Sequence, residues 1–240
     1  MAAWLLDIIL LCVVAVGVAY LLSAALGYDK ASAELESHYA RYESRYGVVF
    51  DITQEAYEAM TDQERAAYDT AYEALIADAD VLYTYDLVIN LTLLITSLSI
   101  LVATMGLEFC VPLLLKNGQT IGKKCFSLCV VRIDGVKVNN MQMFARTILG
   151  KYTIEKMIPV YIILMLLWGT IGLTGTLILL ILLVTQIICV AVGQNRAAIH
   201  DRLAGTVVVD IASQQIFAST EDRIAYIKRI HEDQAKRQTY

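Results

Sequence analysis

Hydrophobic and polar positions fall in long blocks along this chain. Ala2 to Leu26 is apolar almost throughout, interrupted by Asp7. A polar block follows over residues 27–84. A second apolar run covers 85–115, a basic block 116–156, a third apolar run 157–193, and a polar tail 194–240 ends the sequence. Apolar runs of about 18 or more residues have the length of a bilayer-crossing helix. The run 157–193 is too long for one such helix and carries Gly169, Gly172 and Gly175 near its middle. It predicts two tight spans joined by a glycine-rich turn, with Trp168 near a membrane interface. The blocks therefore predict an all-α membrane protein, a bundle of four transmembrane helices. The first run is read as a retained span (residues 1–26) rather than a signal peptide. No Lys or Arg precedes Lys30, and the apolar stretch is of full spanning length.

Within the polar blocks the periodicity changes. Over 27–84 it is helical: Tyr39, Tyr42 and Tyr46 share one face, as do Tyr68 and Tyr72. Gly47 should end a first helix, Asp51 should cap a short second one, and Thr61-Asp-Gln-Glu64 reads as a capping box opening a third. The expectation is a small helical insert whose tyrosines supply its internal packing. Sugar or peptide binding by the tyrosine stripe is the sharper alternative. In the block 116–156, Phe126, Leu128, Val130 and Ile133 precede the turn Asp134-Gly135 and then Val136 and Val138, which predicts a β-hairpin. Met141 to Ile154 has an apolar face and carries Arg146 and Lys151, which predicts an amphipathic helix lying in the membrane interface. Pro112 should kink or end the second span. In the tail, Val207 to Val209 reads as a short strand. A charged helix with Ile224, Ile227 and Ile230 on one side follows.

Charge sharpens this picture. The chain is 58% hydrophobic and 18% charged, and its net charge of -5 is unevenly distributed. Residues 28–84 hold 13 acidic against 4 basic residues, while 116–156 hold 8 Lys and Arg against 2 acidic residues. Basic segments stay on the cytoplasmic side. The connector and tail are thus expected in the cytoplasm with both chain termini, and the acidic insert outside. The five cysteines, Cys12, Cys110, Cys125, Cys129 and Cys189, all avoid the insert, so a disulfide framework is not expected. Cys125 and Cys129 lack a nearby His, and no metal site or cofactor is expected. Nothing suggests nucleic acid as a partner. The Lys-rich inside segments fit a bacterial plasma membrane.

Ionisable side chains near apolar runs are the first functional candidates. A carboxylate at the centre of a span costs about 2.5–3.5 kcal/mol on insertion scales. Asp7, Glu108 and Asp201 are therefore candidates for an ion or transport pathway. The plain alternative for Asp7 is a position within reach of headgroup water. Asp201, next to His200, is expected to tie the tail to the connector through Arg146 or Arg202. Gly118-Gln-Thr-Ile-Gly122-Lys123 superficially suggests a phosphate-binding loop. It is one residue too short between its glycines, and Lys124 stands where a Ser or Thr should meet magnesium. No Ser/His/Asp or Cys/His arrangement stands out among three histidines, so no enzyme activity is expected.

Gly118-x-Thr120-x-Gly122-Lys123, an apolar strand, Asp134-Gly135 and the downstream Arg146 together resemble the RDD family of membrane proteins. Asp201-Arg202-Leu-Ala-Gly205-Thr206 is similar to that family's closing motif, and Asp7 matches its first-helix aspartate. The family's characteristic Arg at the entrance of that helix has no counterpart before Asp7. The resemblance spans the predicted helices and the connector, not the insert. It implies transport of an unidentified ligand. Two readings stay open. One is a small transporter, ion- or proton-coupled, acting as a homo-oligomer. The other is a scaffold or assembly factor that binds other membrane proteins through its insert.

Overall fold

A computed structural model describes residues 2–115, 117–192 and 197–238. The chain is mostly helical and divides into two compact units, residues 16–99 and residues 1–15 with 100–240. Among the described residues, three helices are long and apolar enough to cross a membrane: α1 (Ala2–Leu26), α5 (Ala79–Leu114) and α8 (Gly172–Ala191).

The first unit holds the insert. α2 (Tyr28–Tyr46) ends at Gly47, whose φ of 67° lets its N–H return to the Glu43 carbonyl. α3 (Gln54–Glu58) is capped by Thr53, which accepts from Ala56 N–H. This corrects the expected cap at Asp51, because Thr53 stands at the N-cap position and Asp51 lies two residues earlier. α4 (Asp62–Ile76) opens with the Thr61–Glu64 capping box, both reciprocal bonds present. α5 begins at Ala79, six residues before the expected start of the second span. Phe50 gathers the tyrosines: Tyr39 and Tyr68 meet it edge-on at 5.9 and 5.7 Å. Tyr42, Leu75 and Val81 are buried beside it. Tyr39, Tyr42 and Tyr46 pack on this core, as their spacing predicts, while Tyr72 stays 47% exposed.

In the second unit, the distal part of α5 is π-helical over Met105–Cys110 and closes with Val111–Leu114. Pro112 has no N–H and its ring crowds the carbonyl four residues back, so a widened turn precedes it and the helix ends soon after. α6 (Ile121–Cys125) follows, capped by Thr120. β1 (Leu128–Arg132) comes next. A continuous helical run, α7, occupies residues 140–167. It is π-helical over Ala145–Met157 and α-helical over Ile158–Leu167. The glycine turn is present, with φ of 69° at Gly169 and 41° at Gly172. The two segments it joins are unequal, ten and twenty residues, rather than two of about seventeen. α9 (Ile199–Ala204), β2 (Thr206–Asp210) and α10 (Thr220–Gln238) complete the chain.

Two expectations for the connector are corrected. The sheet is not a hairpin within it. β1 pairs antiparallel with β2 of the tail, from Leu128 opposite Asp210 to Arg132 opposite Thr206. The Asp134-Gly135 turn forms, with Arg132 N–H on the Val136 carbonyl and a single isolated bridge between Val131 and Lys137, not a second strand. Cys129, Val130 and Val131 are all buried, so β1 is covered on both faces, and the β-branched run 207–209 supplies its long partner. Nor do the basic residues of 141–154 face outward. Arg146 and Lys151 are buried, at 2% and 7% exposure, while Met141 and Leu149 face outward. The polar face of this helix points into the protein.

Candidate functional site

The site begins with a spacing. Arg146, Lys151 and Lys156 are five residues apart, within the π-helical stretch Ala145–Met157. At 3.6 residues per turn, neighbours five apart point about 140° away from each other. With i→i+5 bonding, each turn takes in more residues, and side chains five apart come to one face. All three cations then meet buried carboxylates. Lys151 Nζ donates to Glu108 Oε1 at 2.7 Å and Lys156 Nζ to Glu108 Oε2 at 2.6 Å. Lys156 also donates to Thr104 at 3.0 Å, and Thr147 hydroxyl to the Glu108 carbonyl at 3.1 Å. Arg146 Nε donates to Asp201 Oδ1 at 2.8 Å.

Asp7 is not at a water-exposed headgroup position. It is buried, and the glycine-rich motif is its receptor. Thr120 hydroxyl donates to Asp7 Oδ2 at 2.5 Å and Gly122 N–H to Asp7 Oδ1 at 2.8 Å. Lys123 Nζ lies 3.7 Å from Oδ2. Each motif position has a physical reason. Gly118 takes a φ of 63°, in the left-handed region. Thr120 also caps α6, accepting from Lys123 N–H. Gly122 has no room for a side chain, because an added Cβ would lie 2.2 Å from the Ala3 carbonyl oxygen. Burial pushes the Lys123 ammonium down to about 7, helped by the nearby Lys151 and Arg146 charges and opposed by Asp7 and Glu108.

The tail closes the third cluster. α9 packs on α7 at Gly150, where a Cβ would come within 2.5 Å of His200 Cβ. Asp201 accepts from Arg146 and from Thr206 hydroxyl at 2.9 Å, and its Oδ2 lies 3.3 Å from His200 Nε2. Gly205 (φ 64°) ends α9 and turns Thr206 into β2. Burial pushes the Asp201 carboxyl up, but hydrogen bonding from His200 and the Arg146 guanidinium outweighs it and holds the group well below the usual carboxylate range. Arg146 Nη2 lies 3.1 Å from His200 Nε2. On the other side of the ring, His200 Nδ1 lies 2.8 Å from the Glu155 carboxylate. Gln186 donates to the same Glu155 at 3.3 Å. Of the two arginines that suit Asp201 by sequence, Arg146 takes it. Arg202 instead bonds the Cys189 and Ala197 carbonyls.

The three clusters border one cavity of about 480 Å³. Its charged lining includes Asp7, Glu108, Glu155, Lys123, Lys151 and Lys156. Apolar residues of α1 and α8 line it as well, among them Trp4, Ile8, Leu179 and Leu182. Asp201 sits behind the lining, held by Arg146. Sequence reasoning singled out Asp7, Glu108 and Asp201 but missed Lys151, Lys156 and Glu155 as their company. The five-residue spacing was the available signal, and it is invisible to a reading in α-helical periods. Among the described residues no group of His, Cys, Asp and Glu is arranged to hold a metal.

Membrane-length apolar helices enclosing buried acid–base clusters define a membrane protein. The chain belongs to the RDD family, whose family model matches residues 1–205. Comparison with curated proteins and with solved structures returned no match.

Proposed function

We propose that the protein is a small, non-enzymatic membrane transporter, ion- or proton-coupled, whose pathway runs through this cavity. The observation that carries the reading is that Asp7, Glu108 and Glu155 border one cavity together with three lysines. Ionisable groups kept inside a membrane protein mark pathways and relays. Exchange of partners among adjacent acids and bases is a means of passing a proton or releasing a cation. Lys123, titrating near neutrality beside Asp7, is a suitable coupling group.

In this reading residues 158–167 complete a fourth, short span with α7 entering the inner leaflet. Both termini lie in the cytoplasm and the insert lies outside, on the positive-inside rule. Four spans make a narrow bundle, so the transporting unit is a homo-oligomer. The test is flux. Purified protein in liposomes with an internal pH dye is given sodium, potassium and proton gradients, beside Asp7→Asn. Dissipation lost in the folded variant supports coupled transport through Asp7. No flux from the folded parent would remove the reading.

A second reading rests on the insert, which forms a compact unit with its own aromatic core. Such a unit suits a scaffold that binds other membrane proteins. Crosslinking at its surface to a single unrelated membrane protein, in the absence of flux, would favour it.

A further inference from the structure

The cavity is lined by both charged and apolar side chains, and its charges are not equally engaged. Glu108 accepts from both Lys151 and Lys156. Glu155 is held by His200 and Gln186. Asp7 has Thr120 and the Gly122 N–H. Lys123 is different. Its ammonium has three donors. Among the described residues it makes one hydrogen bond, 3.3 Å to Thr120 Oγ1, with Asp7 beyond hydrogen-bond distance at 3.7 Å. Lys123 is nevertheless only 8% exposed. A buried cation with unused donors needs an acceptor. The Glu108 cluster that borders the same cavity, two lysines on one carboxylate, is itself net positive. The same cavity is also lined by hydrocarbon, from Trp4 and Ile8 of α1 and Leu179, Leu182 and Leu183 of α8. The volume of about 480 Å³ falls within the roughly 300–1,000 Å³ typical of ligand sites.

We propose that the cavity binds an amphipathic organic anion, its carboxylate or phosphate on Lys123 and its hydrocarbon against α1 and α8. This deepens the transport reading by naming the ligand class of the same site, and it rests on that reading for its physiological role. A small hydrophilic anion leaves the leucine wall uncovered. A neutral hydrocarbon leaves the ammonium unpaired. An organic cation meets carboxylates that already have donors and a lysine that repels it.

The experiment is equilibrium calorimetry on the full chain in an uncharged maltoside detergent, with decanoate, decyl phosphate, decanol, decyltrimethylammonium and inorganic phosphate as probes. Decanoate and decyl phosphate are expected to bind at least about ten-fold more tightly than decanol or the cation, the scale of a hydrogen bond to a charged group. Octanoate should be weaker than decanoate by on the order of ten-fold, for two fewer buried methylenes. Lys123→Met should abolish the preference for anions. Should that variant not fold, the parent gives the same information through pH. Decanoate stays ionised, so its affinity should fall as pH rises through about 7 and Lys123 loses its charge.

The two sources of such an anion separate in nanodiscs. Decanoate affinity lowered by phosphatidylglycerol, relative to phosphatidylcholine alone, assigns the site to a lipid headgroup. Unchanged affinity assigns it to a soluble amphiphile. Equal binding of decanol and decanoate, tighter binding of the cation, or affinity insensitive to both Lys123→Met and pH overturns the proposal. So does inorganic phosphate binding as tightly as decyl phosphate. Binding is read without a gradient. Anion-selective binding without flux therefore removes transport and leaves this inference standing, and flux without such binding does the reverse.

Discussion

The insert and the connector with its tail are both polar blocks, and they use their charges in opposite ways. In the insert, charged side chains stay at the surface. Arg41 meets Asp78 at 3.1 Å, but its side chain is 57% exposed. The Thr61–Glu64 bonds span three residues of sequence. Tyr57 and Tyr42 hydroxyls donate to Asp69 and Asp78, partners supplied by nearby helix surfaces. In the connector and tail, charges go inside and find partners far along the chain: Arg146 with Asp201, Lys151 with Glu108, Gly122 N–H with Asp7. A surface pair is screened and nearly dispensable, whereas a buried pair becomes costly once one partner is gone. Charge content by itself did not separate the two regions. The difference comes from whether neighbouring elements cover them.

The sharpest way to break this comparison is Arg146→Met. It leaves Asp201 buried without its guanidinium, and the expected loss is about 3–5 kcal/mol. Protease sensitivity of the tail and a lowered thermal transition in detergent would register it. If the tail stayed protected, the buried pair would not be what holds α9 and β2 in place.

Acid should loosen the same attachment. The folded Asp201 carboxyl lies well below its unfolded value, so between the two the unfolded chain binds more protons and stability rises with pH. The contribution is complete at neutral pH and is lost as pH falls below about 4, the unfolded value. Tail protection followed by hydrogen exchange should decline there, and the insert should lag behind it.

Next comes packing. Gly150→Ala puts a methyl 2.5 Å from His200 Cβ, and Gly122→Ala puts one 2.2 Å from the Ala3 carbonyl. Overpacking of this kind costs about 1–3 kcal/mol. Gly150→Ala should release the tail, and Gly122→Ala should disturb the start of α1. Each is read by cysteine accessibility or proteolysis near the substituted contact.

Effects in the insert should be smaller. Thr61→Ala removes one side of the capping box, at about 1 kcal/mol. Local exchange in α4 should rise while the tail stays unchanged. Arg41→Ala should leave the thermal transition unmoved, since the pair is exposed. A large effect from Arg41→Ala would erase the contrast between the regions.

The insert was the more legible part because its signals are local. Gly47 ends α2, the box at Thr61 opens α4, and tyrosines three and four apart share a face. The misses there are small: Thr53 rather than Asp51 at a cap, a shift of two residues, and α5 starting six residues early. The candidate site was legible only in its acidic members. Asp7, Glu108 and Asp201 stand out because a carboxylate beside an apolar run is expensive. Their partners Lys151, Arg146 and Gly122 lie 43, 55 and 115 residues away, where no periodicity reaches. The hairpin reading went astray for the same reason. The turn at Asp134-Gly135 is local, but a strand covered on both faces takes the longest partner available, and that is Val207–Val209 of the tail.

By itself, then, the sequence determined the membrane-length helices, the helical insert, the glycine turn and the two motifs of the RDD family. Each depends on residue type and short-range spacing, which act through backbone geometry and transfer to lipid. Tertiary structure alone decided that Arg146, Lys151 and Lys156 face inward, that β1 pairs with the tail, and that Asp7 is received by Thr120 and Gly122. Those outcomes turn on which buried charge can be neutralised by which distant group. That balance of desolvation against pairing exists only once α1 meets α6, and α7 meets α5 and α9.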